Sequence, residues 1–361
     1  MPPATDQPAS PVRLENAFEG ANPRRRGEVR ELAAGRFLVR PWSEDGDGNY
    51  KFCLNVRAVN ASGAPAPIEL RIEWDDLEYM DCRDYLLVGR GDEWRSFPAR
   101  VAGMTASAEL LVPPGDSWIG LHPVYDRAML AADCRRAAAA GFRATVIGES
   151  FEGREMLALS LGPDSAPAVF LVARFHPYET AGSHCVAAIL EMLAADRAAG
   201  GELTSRWRFV VAPFANPDGV AAGCCKRSRC GGPDLCHEGA DSDDPAGLAL
   251  AALLERTAPR GYLDLHGWMY RDEDGLSYSH PAAREKFLAA LAGRAPFTKG
   301  WRGGCSGERP RKPGDFCSRA FHDHGAVGFI ISPSWFGRTV PEMREFGRGV
   351  LRAFCGAIGG Q

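Results

Sequence analysis

The chain has 361 residues, 45% of them hydrophobic and 24% charged, which is enough apolar content for one large core or two ordinary ones, and two are expected. A formal net charge of -4 gives no electrostatic reason to expect nucleic acid or an anionic membrane as partner, and the short run Arg24-Arg25-Arg26 reads as a solvated turn. No apolar stretch approaches the roughly 20 residues of a bilayer-spanning helix, and Met1 to Asp6 lacks the charged-then-apolar order of a secretory signal, so a cytoplasmic location is expected.

Residues 1–12 are rich in Pro, Ala and polar groups and are expected to be disordered. From there to residue 123 the pattern is short β-type runs: Arg36 to Val39, Tyr50 to Val59, Ile68 to Trp74, Tyr85 to Val88, Ala108 to Val112 and Ser117 to Leu121. Turn signals such as Asp45-Gly46-Asp47-Gly48-Asn49, Asn60-Ala61-Ser62-Gly63 and Pro113-Pro114-Gly115-Asp116 separate them, and with no convincing helix the segment 13–123 predicts a β-sandwich. Past Tyr125 the texture changes to helices alternating with strands. The expected order is a helix at Leu130 to Ala140, strands at Arg143 to Ile147, Leu157 to Leu161 and Ala168 to Ala173, a helix from Thr180 to Ala198, and a strand at Trp207 to Pro213. A helix at Ala246 to Arg256, a strand at Gly261 to Leu265 and a helix at Pro281 to Ala292 follow. A Gly/Pro-rich stretch leads to a helix at Phe316 to His324, a strand at Ala326 to Ile331 and a helix at Val340 to Ile358. Continuous apolar strands alternating with helices predict an α/β sheet covered on both faces.

Chemistry concentrates where these strands end. Arg174-Phe175-His176-Pro177-Tyr178-Glu179-Thr180 puts a His and a Glu three apart after a buried strand, a metal-ligand spacing. His266, in Asp264-Leu265-His266-Gly267, closes another apolar strand and supplies a third ligand. Two neutral imidazoles and one carboxylate are a donor set for zinc that leaves a fourth position open. Asp264 points to the same side of its strand as His266 and is either an acceptor that orients the imidazole or a strand-end cap.

In this order, His176-Pro177-Tyr178-Glu179-Thr180-Ala181-Gly182-Ser183, Asn216-Pro217-Asp218-Gly219-Val220-Ala221-Ala222-Gly223 and Asp264-Leu265-His266-Gly267 resemble the zinc carboxypeptidases of the M14 class, within them the cytosolic carboxypeptidase branch. The resemblance spans most of the chain. It implies a mixed sheet covered by helices over residues 124–361, preceded by a β-rich module, with zinc held by His176, Glu179 and His266. It also implies a hydrolase of an amide bond in a peptide or amino-acid conjugate.

This chain departs from the family's pattern at three places. Ser332, in Gly328-Phe329-Ile330-Ile331-Ser332-Pro333, occupies the position of the family's general-base Glu, and a hydroxyl does not take a proton from zinc-bound water at neutral pH unaided. The catalytic base is therefore unassigned, and a catalytically silent relative that keeps zinc to bind a peptide or small ligand is the alternative. His237 stands where the family has an Arg that clamps the substrate's carboxylate; upstream, Lys226 aligns with the Arg expected to polarise the scissile carbonyl, with Arg227 beside it. The third departure is cysteine. Cys224, Cys225, Cys230 and Cys236 crowd together with His237 and predict a second metal, local disulfides or plain reduced thiols, and Cys305 with Cys317 is a further candidate pair.

Overall fold

The computed structural model describes residues 10–23, 28–42, 53–74, 84–268, 272–294, 297 and 299–359. Arg24-Arg25-Arg26 and the turn Asp45-Gly46-Asp47-Gly48-Asn49 lie outside the described residues. The chain divides into two units, Met1–Val124 with Ala221–Cys225, and Tyr125–Val220 with Lys226–Gln361.

In the first unit the strands are β1 (Val12–Glu15), β2 (Val29–Ala33), β3 (Arg36–Val39), β4 (Asn55–Asn60), β5 (Ala66–Glu73), β6 (Tyr85–Arg90), β7 (Glu93–Pro98), β8 (Arg100–Ala102), β9 (Thr105–Val112) and β10 (Gly115–Gly120). They form two five-stranded sheets, in the orders β1-β4-β10-β6-β7 and β2-β3-β5-β9-β8. Alternation builds them. In β5, Ala66, Ile68, Leu70 and Ile72 are buried while the residues between them face out, and antiparallel pairing sets Leu70 opposite Ala108 of β9. Val56, Val88 and Ile119 of one sheet share a core with Leu70, Ile72 and Leu110 of the other. The buried Asn60 amide donates to Ala64 and Val112 carbonyls, both at 2.9 Å, so the turn after β4 is tied to the end of β9.

The second unit opens with α1 (Arg127–Ala139), β11 (Arg143–Glu149), β12 (Glu155–Leu161), β13 (Ala168–Ala173), α2 (Thr180–Ala198), α3 (Glu202–Arg206), β14 (Arg208–Ala212) and α4 (Pro217–Ala222). It continues with α5 (Pro245–Thr257), β15 (Gly261–Leu265), β16 (Glu273–Tyr278), α6 (Pro281–Leu291), β17 (Gly300–Arg302), α7 (Phe316–His322), β18 (Val327–Ser332) and α8 (Val340–Ile358). Its eight-stranded sheet runs β11-β12-β14-β13-β15-β18-β16-β17, parallel through the centre from β14 to β18 and antiparallel where β12 meets β14 and β16 meets β18. It is a mixed sheet with helices packed on it. Every residue of β13 and β15 is buried, as strands covered on both faces must be. Phe170 and Val172 pack with Leu250 and Leu254 of α5 and with Phe316 and Phe321 of α7. Helices α2 and α8 approach so closely that a Cβ on Gly347 would lie 2.6 Å from the Cα of Cys185.

Several helix starts carry side-chain caps. Asp126 caps α1, Asp244 caps α5 ahead of Pro245, and Asp315 caps α7. Thr339 and Glu342 form a reciprocal capping box at the start of α8. From β13 the chain moves to β14 on one side, while β15 lies on the other, so the strand order reverses at the C-terminal end of β13. Open α/β sheets place their ligand crevices at such a point.

Candidate metal centre

Three loops meet at that point. The segment after β13 begins at Arg174, whose φ of 66° is a left-handed conformation that a bulky residue keeps only when its surroundings hold it. They do so here. The buried Arg174 guanidinium donates to Pro177 O at 2.6 Å, Tyr125 O at 2.9 Å and Ser183 Oγ at 3.1 Å, clamping the loop that carries His176 against the first turn of α2. Asn216 adds a second brace, donating to Phe175 O at 2.9 Å and Arg227 O at 3.1 Å and accepting from Gly219 N at 2.9 Å. Asp218 accepts from Ser150 Oγ, Glu152 N and Arg154, so Asn216-Pro217-Asp218-Gly219 is a structural knot beside the site.

Glu179 stands immediately before α2 and lies between two imidazoles: His176 Nδ1 is 3.0 Å from Oε1 and His266 Nδ1 is 2.8 Å from Oε2. Gly267 makes this approach possible, because a Cβ there would sit 3.1 Å from Glu179 Cβ. His176, Glu179 and His266 are all buried, and each offers a ligand atom within 4.8 Å of the others. The outer ring edges also meet carboxylates. His176 Nε2 is 3.4 Å from Asp234 Oδ1, and His266 Nε2 is 3.0 Å from Asp264 Oδ1. The other oxygen of Asp234 is 3.1 Å from Lys226 Nζ.

The electrostatics follow from this packing. Burial alone would drive His176 toward the neutral form, yet Glu179 and Asp234 outweigh it and raise the imidazole to about 9. At His266 burial is likewise overcome, here by Asp264 and Glu179, and the ring is held well above its ordinary range. Burial opposes charge on Glu179 and Asp234 as well, but His176 pulls both below the usual carboxylate range, with His266 adding to the effect on Glu179 and His237 and Lys226 to that on Asp234. Three buried carboxylates thus surround two imidazoles with Lys226 as the cation beside them. A divalent ion held by the two imidazoles and Glu179 would take the place of the ring protons. Two Nδ1 donors and one carboxylate with carboxylates on their outer ring edges are a fitting donor set for zinc.

The structure brings together His176, Glu179 and His266, with Asp264 against His266. It places the remaining sequence candidates differently. Lys226 is mostly buried against Asp234. Arg227 donates to Gly232 O at 2.9 Å within its own loop. His237 is 54% exposed, with Nδ1 2.8 Å from Asp315 Oδ2 and its ring centre 6.2 Å from that of His176. Ser332 ends β18; because Leu265 pairs with Ile331 in parallel register, Ser332 stands one step on, beside His266. It pairs with Gly275 of β16, and its side chain faces that glycine. Other carboxylates near the end of the chain are committed elsewhere: Glu342 to the capping box, Asp323 to Arg311 at 2.5 and 2.6 Å, and Asp315 to its helix cap and His237.

Sequence reasoning gave Asp234 and Arg174 no role. That of Asp234 needs His176, distant in sequence, as a partner; Arg174 had only its place at a strand end to recommend it. The cysteine expectations change as well. The ten described cysteines are free thiols, and Cys305 and Cys317 are not joined. Among the described residues, no group of metal-ligating side chains includes Cys224, Cys225 or Cys230, whereas Cys236 belongs to two such groups, with His176 and His237 and with Asp264 and His266.

A mixed α/β sheet with two imidazoles and a carboxylate at its switch point is an α/β fold with a candidate metal centre. Comparison with known proteins narrows it. Residues 135–235 match the family model of the zinc carboxypeptidases, a span that includes His176, Glu179, Lys226 and Asp234 and ends before His266 and Ser332. A metallo-carboxypeptidase from Burkholderia cenocepacia superposes with a TM-score of 0.79 at 18% identity, covering 96% of this chain and 99% of its own. One from Pseudomonas aeruginosa, solved in complex with (2-guanidinoethylmercapto)succinic acid, gives 0.77 at 17% identity over 96% and 99% of the two chains. A chain from Shewanella denitrificans gives 0.82 at 19% over 97% and 100%. A comparison with curated protein sequences gives no match. The fold is that of the metallo-carboxypeptidases, across the full length of these neighbours.

Proposed function

We propose that this protein is a zinc-dependent hydrolase of the M14 carboxypeptidase type, cleaving an amide bond in a peptide or amino-acid conjugate. The observation that carries the reading is the convergence of His176 Nδ1, His266 Nδ1 and Glu179 at the switch point of a carboxypeptidase-like sheet. When bound, zinc supplies Lewis-acid polarisation of a carbonyl and a water of lowered pKa. The chain's own groups set the stage. Asp234 and Asp264 face the outer edges of the two rings, Arg174 and Asn216 fix the loop between β13 and α2, and Lys226 lies beside Asp234. Ser332 offers a hydroxyl that donates and accepts hydrogen bonds but does not serve as a base at neutral pH.

Ser332 also supports a second reading, a relative that binds zinc and a peptide or small ligand without turnover. The two separate in one experiment. Zinc-loaded protein is assayed for cleavage of free-acid and amidated peptides, and for binding of (2-guanidinoethylmercapto)succinic acid, the compound carried by the Pseudomonas neighbour. Hydrolysis that zinc removal abolishes supports the enzyme. Binding without any hydrolysis supports the silent relative. With His237 paired to Asp315 in place of an Arg clamp, weak discrimination for the free acid is expected. Zinc contents near zero after loading would overturn both readings.

A further inference from the structure

His266 presents ligands on both edges of its ring. Its Nδ1 faces Glu179, while its Nε2 lies 3.0 Å from Asp264 Oδ1 and 3.9 Å from Cys236 Sγ. Cys236, Asp264 and His266 are buried, with their ligand atoms within 4.8 Å of one another. A fourth donor adjoins them. Cys317 of α7, 3% exposed, donates to Asp264 Oδ2 at 3.4 Å and is a hydrogen-bond partner of Cys236. Asp264 Oδ1 is fully buried and makes no hydrogen bond of acceptable geometry among the described residues, although Nε2 is so near. A carboxylate oxygen without a hydrogen-bond donor, a thiol and an imidazole nitrogen around one point, with a second thiol on the carboxylate's other oxygen, are unusual in a protein core.

We propose that Cys236, Asp264 and Nε2 of His266, with Cys317 drawn in from beside Asp264 as fourth donor, form a second, sulfur-containing metal site behind the first, suited to a thiophilic divalent ion such as zinc or cadmium. Thiolate, imidazole and carboxylate are the ligands of structural zinc, and donors at its usual bond lengths around a tetrahedral ion stand about 3.5 Å apart. The observed spacings of 3.0 and 3.9 Å bracket that value. Filling the site releases the thiol protons, and the Nε2 proton too when Nδ1 already holds the front ion, so that the His266 ring bridges the two ions. The second metal considered from the cysteine-rich loop is thereby moved: Cys236 stays, and its companions come from β15, the turn that follows it, and α7. The proposal uses His266 of the site above but is independent of hydrolysis, so an absence of peptidase activity leaves it standing.

Metal-stripped protein titrated with cobalt(II) or cadmium(II) tests it by absorbance and by bound-metal content. The front set has no sulfur, so a thiolate-to-metal charge-transfer band reports the rear site alone. The wild type is expected to bind two ions per chain and to show the band. Cys236→Ser and Cys317→Ser should each lose the band and retain one ion, whereas His176→Ala should retain the band with one ion. Cys230→Ser, an exposed thiol outside both sets, should match the wild type. Absence of the band at saturating metal, its survival in a Cys236→Ser, Cys317→Ser double variant, or its loss in His176→Ala would each overturn the second site.

Discussion

The ends of β13 and β18 lie in one sheet with β15 between them, and they are finished in opposite ways. After β13, Arg174 is held in a left-handed conformation by three hydrogen bonds, Asn216 braces the next residues, and Glu179 is set between two rings. At the end of β18 stands Ser332, facing a glycine, in the position that the resemblance assigns to a general base. On the proposed reading, the difference makes ligand geometry and proton transfer separable. A buried, braced ligand loop persists on its own packing, because breaking it would leave charged groups unpaired in the core.

The largest effect is expected at the first end. Replacing His266 or Glu179 by Ala should take zinc bound at the front site from about one ion per chain to near zero, because a three-ligand site that loses one ligand holds its ion too weakly; metal analysis after gel filtration measures this. Full retention in both variants would remove the metal assignment and with it the contrast between the two ends. The second end gives the next largest effect. Ser332→Glu should raise peptide hydrolysis by about 10²- to 10⁴-fold, the usual contribution of a general base, whereas Ser332→Ala should change it little. If Ser332→Ala abolishes a robust wild-type activity, the hydroxyl itself takes part and the two ends are alike in being functional.

Smaller effects sharpen the comparison. Asp234→Asn leaves the fold's volume unchanged but weakens the charge facing His176 Nε2, and a partner of that kind is worth about 10- to 100-fold in metal affinity, measurable by competition with a chelator. An unchanged affinity would show that Arg174 and Asn216 alone hold the ligand loop. The smallest effect lies outside the site. Glu342 accepts from the Thr339 backbone and hydroxyl, and those bonds hold its carboxyl below the ordinary 4.5. A carboxyl with a depressed folded pKa adds stability that is present above pH 4.5 and lost as pH falls through the lower folded value. Glu342→Ala, which dismantles the capping box, is expected to cost about 1 kcal/mol near neutrality and less in acid, where the wild-type carboxyl is itself protonated; thermal melts at both pH values measure the difference. An equal cost at both would assign the loss to packing.

Several elements were legible residue for residue. Helix Thr180–Ala198, strands Ala168–Ala173 and Gly261–Leu265 and helix Val340–Ile358 have the expected limits, since long periodic or continuously apolar runs leave little choice of register. The first helix begins three residues before its expected start because Asp126 caps it. Strands β16 and β17 were not expected. Glu273–Tyr278 has a charged start and a central glycine, and it becomes a strand by pairing with β18, with Gly275 opposite Ser332. The exposed β7 lacks the apolar alternation that would mark it, and it forms by pairing with β6.

The sequence by itself determined the α/β architecture and the chain order of its central strands and helices, because those depend on periodicity within a few residues of chain; the mixed sheet was implied only by the resemblance. It also named His176, Glu179 and His266, since a three-residue step at a strand end and a second strand end are local features. Only the tertiary structure decided that Asp234 bridges His176 and Lys226, that Arg227 turns into its own loop, that His237 turns to Asp315, and that Cys236 meets Cys317 rather than its sequence neighbours. All but the Arg227 contact join side chains from different parts of the chain. Their distances are set by strand register and helix packing, which no local pattern records.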